Sequence, residues 1–150
     1  MKTIIYKSMK IKDQKTLINK INQSIWWHVI PKDLTAYKKR GKFFASTYKQ
    51  AEFYGRPNDI PEKVVISNPV YGISEAKILK ILFPAEYKDL CVTIEYDGKD
   101  WYNRRIELDA KMYQKAKSMG YDAIALLDNN GEKYLMKNRK PHSIELNLCK

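Results

Sequence analysis

The stretch GKFFASTYKQAEFYG, residues 41–55, is predicted to form a short strand followed by a helix, and short strands and helices are also predicted along the rest of the chain. Lys42–Ala45 is predicted as a strand because a glycine precedes it and two aromatic residues lie within it. Ser46 or Thr47 is expected to cap a helix over Tyr48–Tyr54, and the glycine and proline that follow end that helix.

Short strands and helices are predicted on both sides of this unit. The expected strands are Thr3–Met9, Ser24–Ile30, Glu62–Ser67, Asp122–Leu127, Lys133–Met136 and Ser143–Leu148. The expected helices run from a cap at Asp13 to Asn22, over Ser74–Phe83 and Glu86–Glu95, and from a cap at Asp109 to Met119 ahead of Gly120, with a shorter helix or turn over Lys32–Arg40. Asn68-Pro69 is expected to close one strand, and Asp128–Gly131 is a predicted hairpin turn. Hairpin-type strands mixed with helices, without regular βαβ alternation, indicate an α+β fold.

The chain of 150 residues contains no repeat, no low-complexity stretch and no Pro/Gly linker, which predicts a single domain over residues 1–150. Its apolar runs, such as Ile78–Phe83 with Lys80 inside, are far too short to cross a bilayer. Cys91 and Cys149 are too few for a disulfide framework or a zinc site. With no signal-peptide pattern at the start, the expected location is the cytoplasm, away from membranes.

Positive charge is concentrated at the start of the sequence. The formal net charge is +11, and residues 1–50 alone hold twelve Lys or Arg against two acids. A field of this sign attracts nucleic acid, anionic cofactors or acidic proteins. Lysine-rich surfaces also serve solubility alone, so charge by itself does not select a partner.

Most familiar catalytic motifs are absent. The sequence has no P-loop, no GxGxxG, no HExxH, no CxxC pair and no GxSxG, and its histidines are His28 and His142. This composition argues against metal centres and against hydrolases of the Ser-His type.

Three segments, taken in order, resemble the ADP-ribosyltransferase superfamily, in the His–Tyr–Glu branch typified by poly-ADP-ribose polymerases. They are His28 in a strand, Gly41–Ala45 followed by Tyr54 on a helix, and Gly131–Met136, in which Glu132 enters a strand after a hairpin. The stretches VVISNPV and GYDAIALLDNNGEKYLM also look like the small phage and toxin members. The resemblance implies two facing antiparallel or mixed sheets with a cleft and flanking helices.

The resemblance also implies a reaction, in which NAD is the substrate and its ADP-ribose is transferred to a macromolecular acceptor without a metal. His28 would bind the adenosine ribose, and Phe43 and Tyr54 would sandwich the nicotinamide, a cationic ring suited to aromatic stacking. Glu132 would bind the nicotinamide ribose and stabilise the oxocarbenium-like transition state. The acceptor is left open between an acidic protein, a nucleic acid and water.

Several positions leave alternatives. Val29 and Ile30 follow the histidine where the family has Gly-Thr, and Ala51 replaces a serine that binds the nicotinamide amide. Ser46 or Thr47 could supply the missing hydroxyl, and Tyr48 competes with Tyr54 for the stacking role. Asp128, four residues before Glu132, is an alternative acid.

Other functions compete with this interpretation. A nucleic-acid-binding module would use the basic first third for phosphates and Trp26, Trp27 or Trp101 for base stacking. A catalytically inactive transferase-like domain would act by docking to a partner. Each of the named residues also has an ordinary reading: His28 as a half-buried histidine, Phe43 and Tyr54 as core, and Glu132 as a surface acid.

Overall fold

The computed structural model describes residues 14–30, 41–54, 56–57, 60–127 and 144–149. Several predictions lie outside the described residues: the strands Thr3–Met9 and Lys133–Met136, the cap Asp13, the segment Lys32–Arg40, the turn Asp128–Gly131, and both candidate acids, Asp128 and Glu132.

Five helices and seven strands occur in the described part of the chain. The helices are α1 (residues 14–23), α2 (Tyr48–Tyr54), α3 (Glu75–Leu82), α4 (Tyr87–Glu95) and α5 (Trp101–Ser118). The strands are β1 (Ile25–Ile30), β2 (Lys42–Ala45), β3 (Arg56–Pro57), β4 (Glu62–Lys63), β5 (Pro69–Gly72), β6 (Ala123–Leu127) and β7 (Ile144–Leu148). The predicted bounds of β2 and α2 are confirmed residue for residue.

The strands form a mixed sheet. Their order is β3-β1-β2-β7-β6-β5, and β4 also pairs with β1. The pair β5–β6 is parallel and is connected through α3, α4 and α5, whereas the other pairs are antiparallel. The α+β class is therefore confirmed.

One face of the sheet packs against α1. Strand residues two apart point to the same face, so Trp26 shares its face with Phe44, Leu146 and Ala125 across the register. These side chains form one core cluster with Leu17 and Ile21 of α1 and with Val64 and Ile66. Trp26 is fully buried, and its indole N–H donates to the carbonyl of Ile21 at 2.9 Å, satisfying a carbonyl at the end of α1.

The opposite face of the sheet packs against α3 and α5. Val70 and Ile124 contribute side chains from β5 and β6, and the helices add Ile78, Leu79, Leu82, Leu108, Met112, Tyr113 and Ala116. Further along the same face, α2 covers Ala45 through Ala51, with Trp27 packed alongside. The sheet thus has helices on both faces. No helix among the described residues is both long and apolar enough to cross a membrane.

The predicted strand Glu62–Ser67 is wrong beyond Lys63. The backbone of Ile66 is instead held by one side chain: Asn22 Nδ2 donates to the Ile66 carbonyl at 2.9 Å, and the Ile66 N–H donates to Asn22 Oδ1 at 2.8 Å. This side chain takes the place that a neighbouring strand would occupy, so residues 64–66 cover the core without entering the sheet.

The turn expected at Asn68-Pro69 is followed directly by a strand that the sequence did not predict. The Asp122 carboxylate accepts hydrogen bonds from the backbone N–H groups of Ser67 at 2.7 Å and Asn68 at 3.0 Å. Pro69 then begins β5, an edge strand, where a residue without an N–H is tolerated.

The predicted N-cap at Asp109 is wrong, because α5 begins at Trp101 and Asp109 lies in its middle. Asp109 is 6% exposed, and its Oδ1 is 3.0 Å from Nη2 of Arg105 one turn earlier. Arg105 also contacts Glu75 of α3. Helix propensity alone favours an aspartate at an N-cap and disfavours it inside a helix. At Asp109 the ion pairs offset that unfavourable propensity.

Two glycines adopt positive φ where the sequence predicts breaks. Gly41 has φ +89°, and a Cβ there would lie 2.2 Å from Oδ1 of Asn147 on β7. Gly120 has φ +87° at the end of α5, where its N–H donates to the carbonyl of Lys117. Gly41 is therefore required both by conformation and by the close approach of β7.

Asp109 is expected to stabilise the fold far more than an exposed partner at the same helical spacing. Replacing Asp109 with Asn removes the buried carboxylate from Arg105 and should lower the free energy of unfolding by about 2 kcal/mol. The matched control is Asp100→Asn, which breaks an i,i+4 pair with Arg104 whose two side chains are about half exposed. Urea unfolding measures both, and equal effects would contradict this assignment.

The two cysteines are expected to differ in reactivity. Cys149 is buried, its thiol donates to the Asn147 carbonyl, and burial raises the pKa of Cys149 to about 12. Alkylation of the native protein at pH 8.5 should modify half-buried Cys91 and spare Cys149, because the thiolate is the nucleophile. Because the folded state holds this proton more tightly, stability should also fall as pH rises from 9 towards 12. Mass spectrometry of alkylated peptides checks the assignment, and early labelling of Cys149 in folded protein would contradict it.

Candidate functional site

The candidate site lies where β1 and β2 separate. Their described pairing consists of Trp27 opposite Ala45 and His28 opposite Phe44. Beyond His28, residues Val29 and Ile30 pair with β3, whereas Lys42 and Phe43 pair with β7. We call this divergence, bounded by residues 28–30 and 42–44, the fork.

His28 is fixed at the base of the fork by a hydrogen bond to the other strand. Its Nδ1 lies 2.9 Å from the carbonyl oxygen of Phe43. A carbonyl can only accept, so Nδ1 carries a proton and donates it to this oxygen. The His28 and Phe44 rings are 5.3 Å apart, and His28 is 7% exposed. The ring is therefore held in one orientation at the base of the fork.

The side chains of His28 and Phe43 leave the sheet on opposite faces. His28 shares its face with its register partner Phe44, so Phe43, one residue earlier, points the other way. The structure brings these two predicted site residues together through the Phe43 carbonyl rather than through the ring.

The Phe43 ring borders a cavity of about 50 Å³ on the α3–α5 face of the sheet. Its polar lining consists of Glu75, Arg105, Asp109, Glu145 and Asn147. Burial by itself would lower the pKa of Arg105, but the charges of Asp109 and Glu75 outweigh it and hold that pKa above its ordinary value. The cavity therefore contains a permanently charged guanidinium already engaged by two carboxylates. Sequence reasoning missed this set, since its members lie on three separate elements.

The remaining candidates cluster around α2. Ser46 lies between β2 and α2. The Tyr48 ring packs edge-on against Trp27 with centroids 5.0 Å apart, so this tyrosine supports β1. Tyr54 is the last residue of α2, two residues before Arg56, which pairs with Ile30 at the fork. The backbone of Tyr54 is thus close to the fork, whereas the Tyr48 ring contacts the strand before it.

Lys42 and Glu62 were not predicted as site residues, yet they meet beside the fork. Lys42 Nζ lies 3.3 Å from Oε1 of Glu62 and 5.2 Å from the centroid of the Phe44 ring. Twenty residues separate the two in sequence, and no local pattern links them. Only the pairing of β1 with both β2 and β4 brings them together.

Glu132 and Asp128 fall in the segment 128–143, outside the described residues, and its flanking strands are defined. Leu127 of β6 pairs with Ile144 of β7, and β7 pairs with β2. The segment therefore starts and ends at the edge of the sheet where β2 finishes at Ala45, whereas the fork opens towards Lys42. Within the described ranges, no group of three His, Cys, Asp or Glu side chains could hold a metal ion.

Comparison with other proteins adds nothing to this geometry: no protein-family model, curated protein or solved structure matches the chain.

Proposed function

We propose that this protein is an ADP-ribosyltransferase-like domain that binds NAD at the fork, where β1 and β2 diverge. One observation carries the proposal. The segments that resemble the family, more than one hundred residues apart in sequence, lie on or between neighbouring strands in the order β1-β2-β7-β6. His28 and Phe43 lie on the first two of these strands, and the connection bearing Glu132 joins the last two at the end where β2 finishes at Ala45.

His28 suits the recognition of a ribose. In the proposal, the imidazole of His28, held by its Nδ1 contact to the Phe43 carbonyl, binds a hydroxyl of the adenosine ribose. The orientation is fixed before the ligand arrives, which lowers the entropic cost of binding.

The aromatic pair proposed for nicotinamide is Phe43 with Tyr54. Phe43 is only half-buried, and the α2 residue Tyr54 lies two positions before the strand that pairs with Ile30. Tyr48 is the weaker choice because its ring already packs against Trp27. Ser46 follows β2 directly and would supply the hydroxyl for the nicotinamide amide, since Ala51 is fully buried against Ala45.

Chain length allows Glu132 to reach His28 along an almost fully extended path. Strand β6 lies three strand positions from β1, and Leu127 is level with Trp26, two residues before His28, so Leu127 and His28 are about 16 Å apart at the usual strand spacing and rise. Glu132 is five residues beyond Leu127, and five residues span at most about 17 Å. In the proposal, Glu132 binds the nicotinamide ribose and stabilises the positive charge that develops as the bond to nicotinamide breaks.

The competing nucleic-acid interpretation loses one of its stacking residues. Trp26 is completely buried with its indole N–H bonded to the main chain, so it cannot stack on a base. Trp101 is 52% exposed, but it lies at the start of α5. This helix covers the face of the sheet opposite to the face that holds Trp26. The acceptor of ADP-ribose, an acidic protein, a nucleic acid or water, is an outcome of the experiments below.

NAD is expected to raise the melting temperature because it binds the folded state preferentially. Tyr54→Ala should weaken this shift by removing one wall of the nicotinamide site. Tyr102→Ala, at an exposed tyrosine on α5, is the matched control and should leave the shift unchanged. Differential scanning fluorimetry with increasing NAD provides the measurement, and a wild-type melting curve that saturating NAD leaves unmoved would contradict the NAD assignment.

Glu132→Gln is expected to keep NAD binding and to lower nicotinamide release by about 10²-fold or more, the loss typical of one electrostatic contributor. Asp128→Asn, four residues earlier, is the control and should have a much smaller effect. Nicotinamide release from labelled NAD in the presence of cell extract measures both, and the labelled product identifies the acceptor. Loss of activity in Asp128→Asn alone would assign the catalytic role to that acid. A wild type that binds NAD but releases none would favour an inactive domain acting by docking.

A further inference from the structure

The ion pair between Lys42 and Glu62 crosses β1 at His28. Glu62 is the register partner of Trp26, two residues before His28 on one side of β1. Lys42 lies two residues before Phe44, the partner of His28 on the other side. Because β2 runs antiparallel to β1, Lys42 and Glu62 lie diagonally about His28, and the line joining them passes over it.

All of these side chains lie on the face of the sheet that packs against α1. Register partners in a sheet point to the same face, as do residues two apart on one strand. Glu62 therefore shares the face of Trp26 and His28, and Lys42 shares that of Phe44. The 5.2 Å separation between Lys42 Nζ and the Phe44 ring agrees with this placement.

Exposure differs sharply between the ion pair and the histidine beneath it. The Lys42 and Glu62 side chains are 39% and 37% exposed, whereas His28 is 7% exposed. On this face, the charged groups thus lie nearer to solvent than the imidazole. An exposed ion pair of this kind adds little net stability, so it opens at small cost.

We propose that Lys42 and Glu62 close the fork over His28 and separate when an anionic ligand enters, Lys42 then exchanging the Glu62 carboxylate for the pyrophosphate of that ligand. The identity of the ligand rests on the function proposed above, whereas the closure rests on the geometry alone. A lysine ammonium binds phosphate as readily as carboxylate, so the exchange keeps its charge paired. Glu62 is then a competitor that an uncharged ligand cannot displace, which selects for pyrophosphate-bearing molecules.

The closure is tested by carbethoxylation of His28 with diethyl pyrocarbonate in the full chain, with peptide mapping to separate His28 from His142. Lys42→Met and Glu62→Gln should each raise the modification rate about 2- to 5-fold, the range set by the free energy of an exposed ion pair. Glu86→Gln breaks a comparably exposed ion pair with Lys111 on the helical face and should leave the rate unchanged. Salt near 1 M should raise the wild-type rate towards that of the variants and change the variants little.

Rates that stay at the wild-type value in both folded variants would overturn the closure. Melting curves identify a variant that has lost its fold. An increase in modification rate together with a much lower melting temperature would count as unfolding. In that case the salt dependence of the wild-type rate decides whether the ion pair closes the fork.

The exchange is tested by NAD affinity, where the two variants should move in opposite directions. Lys42→Met should weaken binding by about tenfold, because a charge-assisted contact to phosphate is lost. Glu62→Gln should strengthen binding about 2- to 5-fold, because the competing carboxylate is removed. Weaker binding in both variants would overturn the exchange, since a pair with a purely structural role affects both in the same direction. Absence of NAD binding in the wild type would overturn the proposed function and the exchange with it, and the carbethoxylation rates would still decide the closure.

Discussion

The pairing of β7 between β2 and β6 is the constraint on which the described sheet depends. This strand, Ile144–Leu148, comes from the end of the chain, yet it lies in the middle of the strand order. It pairs with β2 at four positions and with β6 at five. The β1–β4 unit and the β5–β6 unit thus become one sheet, with Leu146 completely buried at the join. Helices then cover both faces, because both faces are apolar on the strands that β7 connects.

The fork follows from the way β1 shares its partners. On one side β1 pairs first with β4 and then with β3, and on the other side it pairs with β2 only as far as His28. Lys42 and Phe43, which lie beyond the last described β1–β2 pair, keep their pairing with β7. Backbone groups at such a divergence need other partners, and the His28 imidazole supplies one by donating to the Phe43 carbonyl. The same bond that completes the backbone also orients the histidine.

In the described part of the chain, buried charged groups have partners of opposite charge, and the lysines lie at the surface. None of the described lysines is buried. The charged groups that are largely removed from water have specific partners: Arg105 with Asp109 and Glu75. The Asp122 carboxylate likewise accepts from two backbone N–H groups. The positive charge of the described lysines thus lies at the surface, where it acts on the approach of anionic molecules.

The sequence by itself determined the elements whose signals are local. The strands β1 and β2, the helix α2 and the glycine that ends α5 follow from aromatic and β-branched runs, helical spacing and glycine at positive φ, all of which act within a few residues. It also identified His28 and Phe43 as residues to examine. Only the tertiary structure decided that residues 64–66 lie outside the sheet, that Pro69 begins a strand, and that Asp109 is buried inside a helix. The tertiary structure also placed His28 and Phe43 on opposite faces at a fork, and set Lys42 against Glu62. Except for Asp109, whose partner Arg105 lies one helical turn away, the deciding partner lies far away in sequence. Hydrogen bonds or charges from these partners outweigh local propensities of a few tenths of a kcal/mol to about 1 kcal/mol per residue.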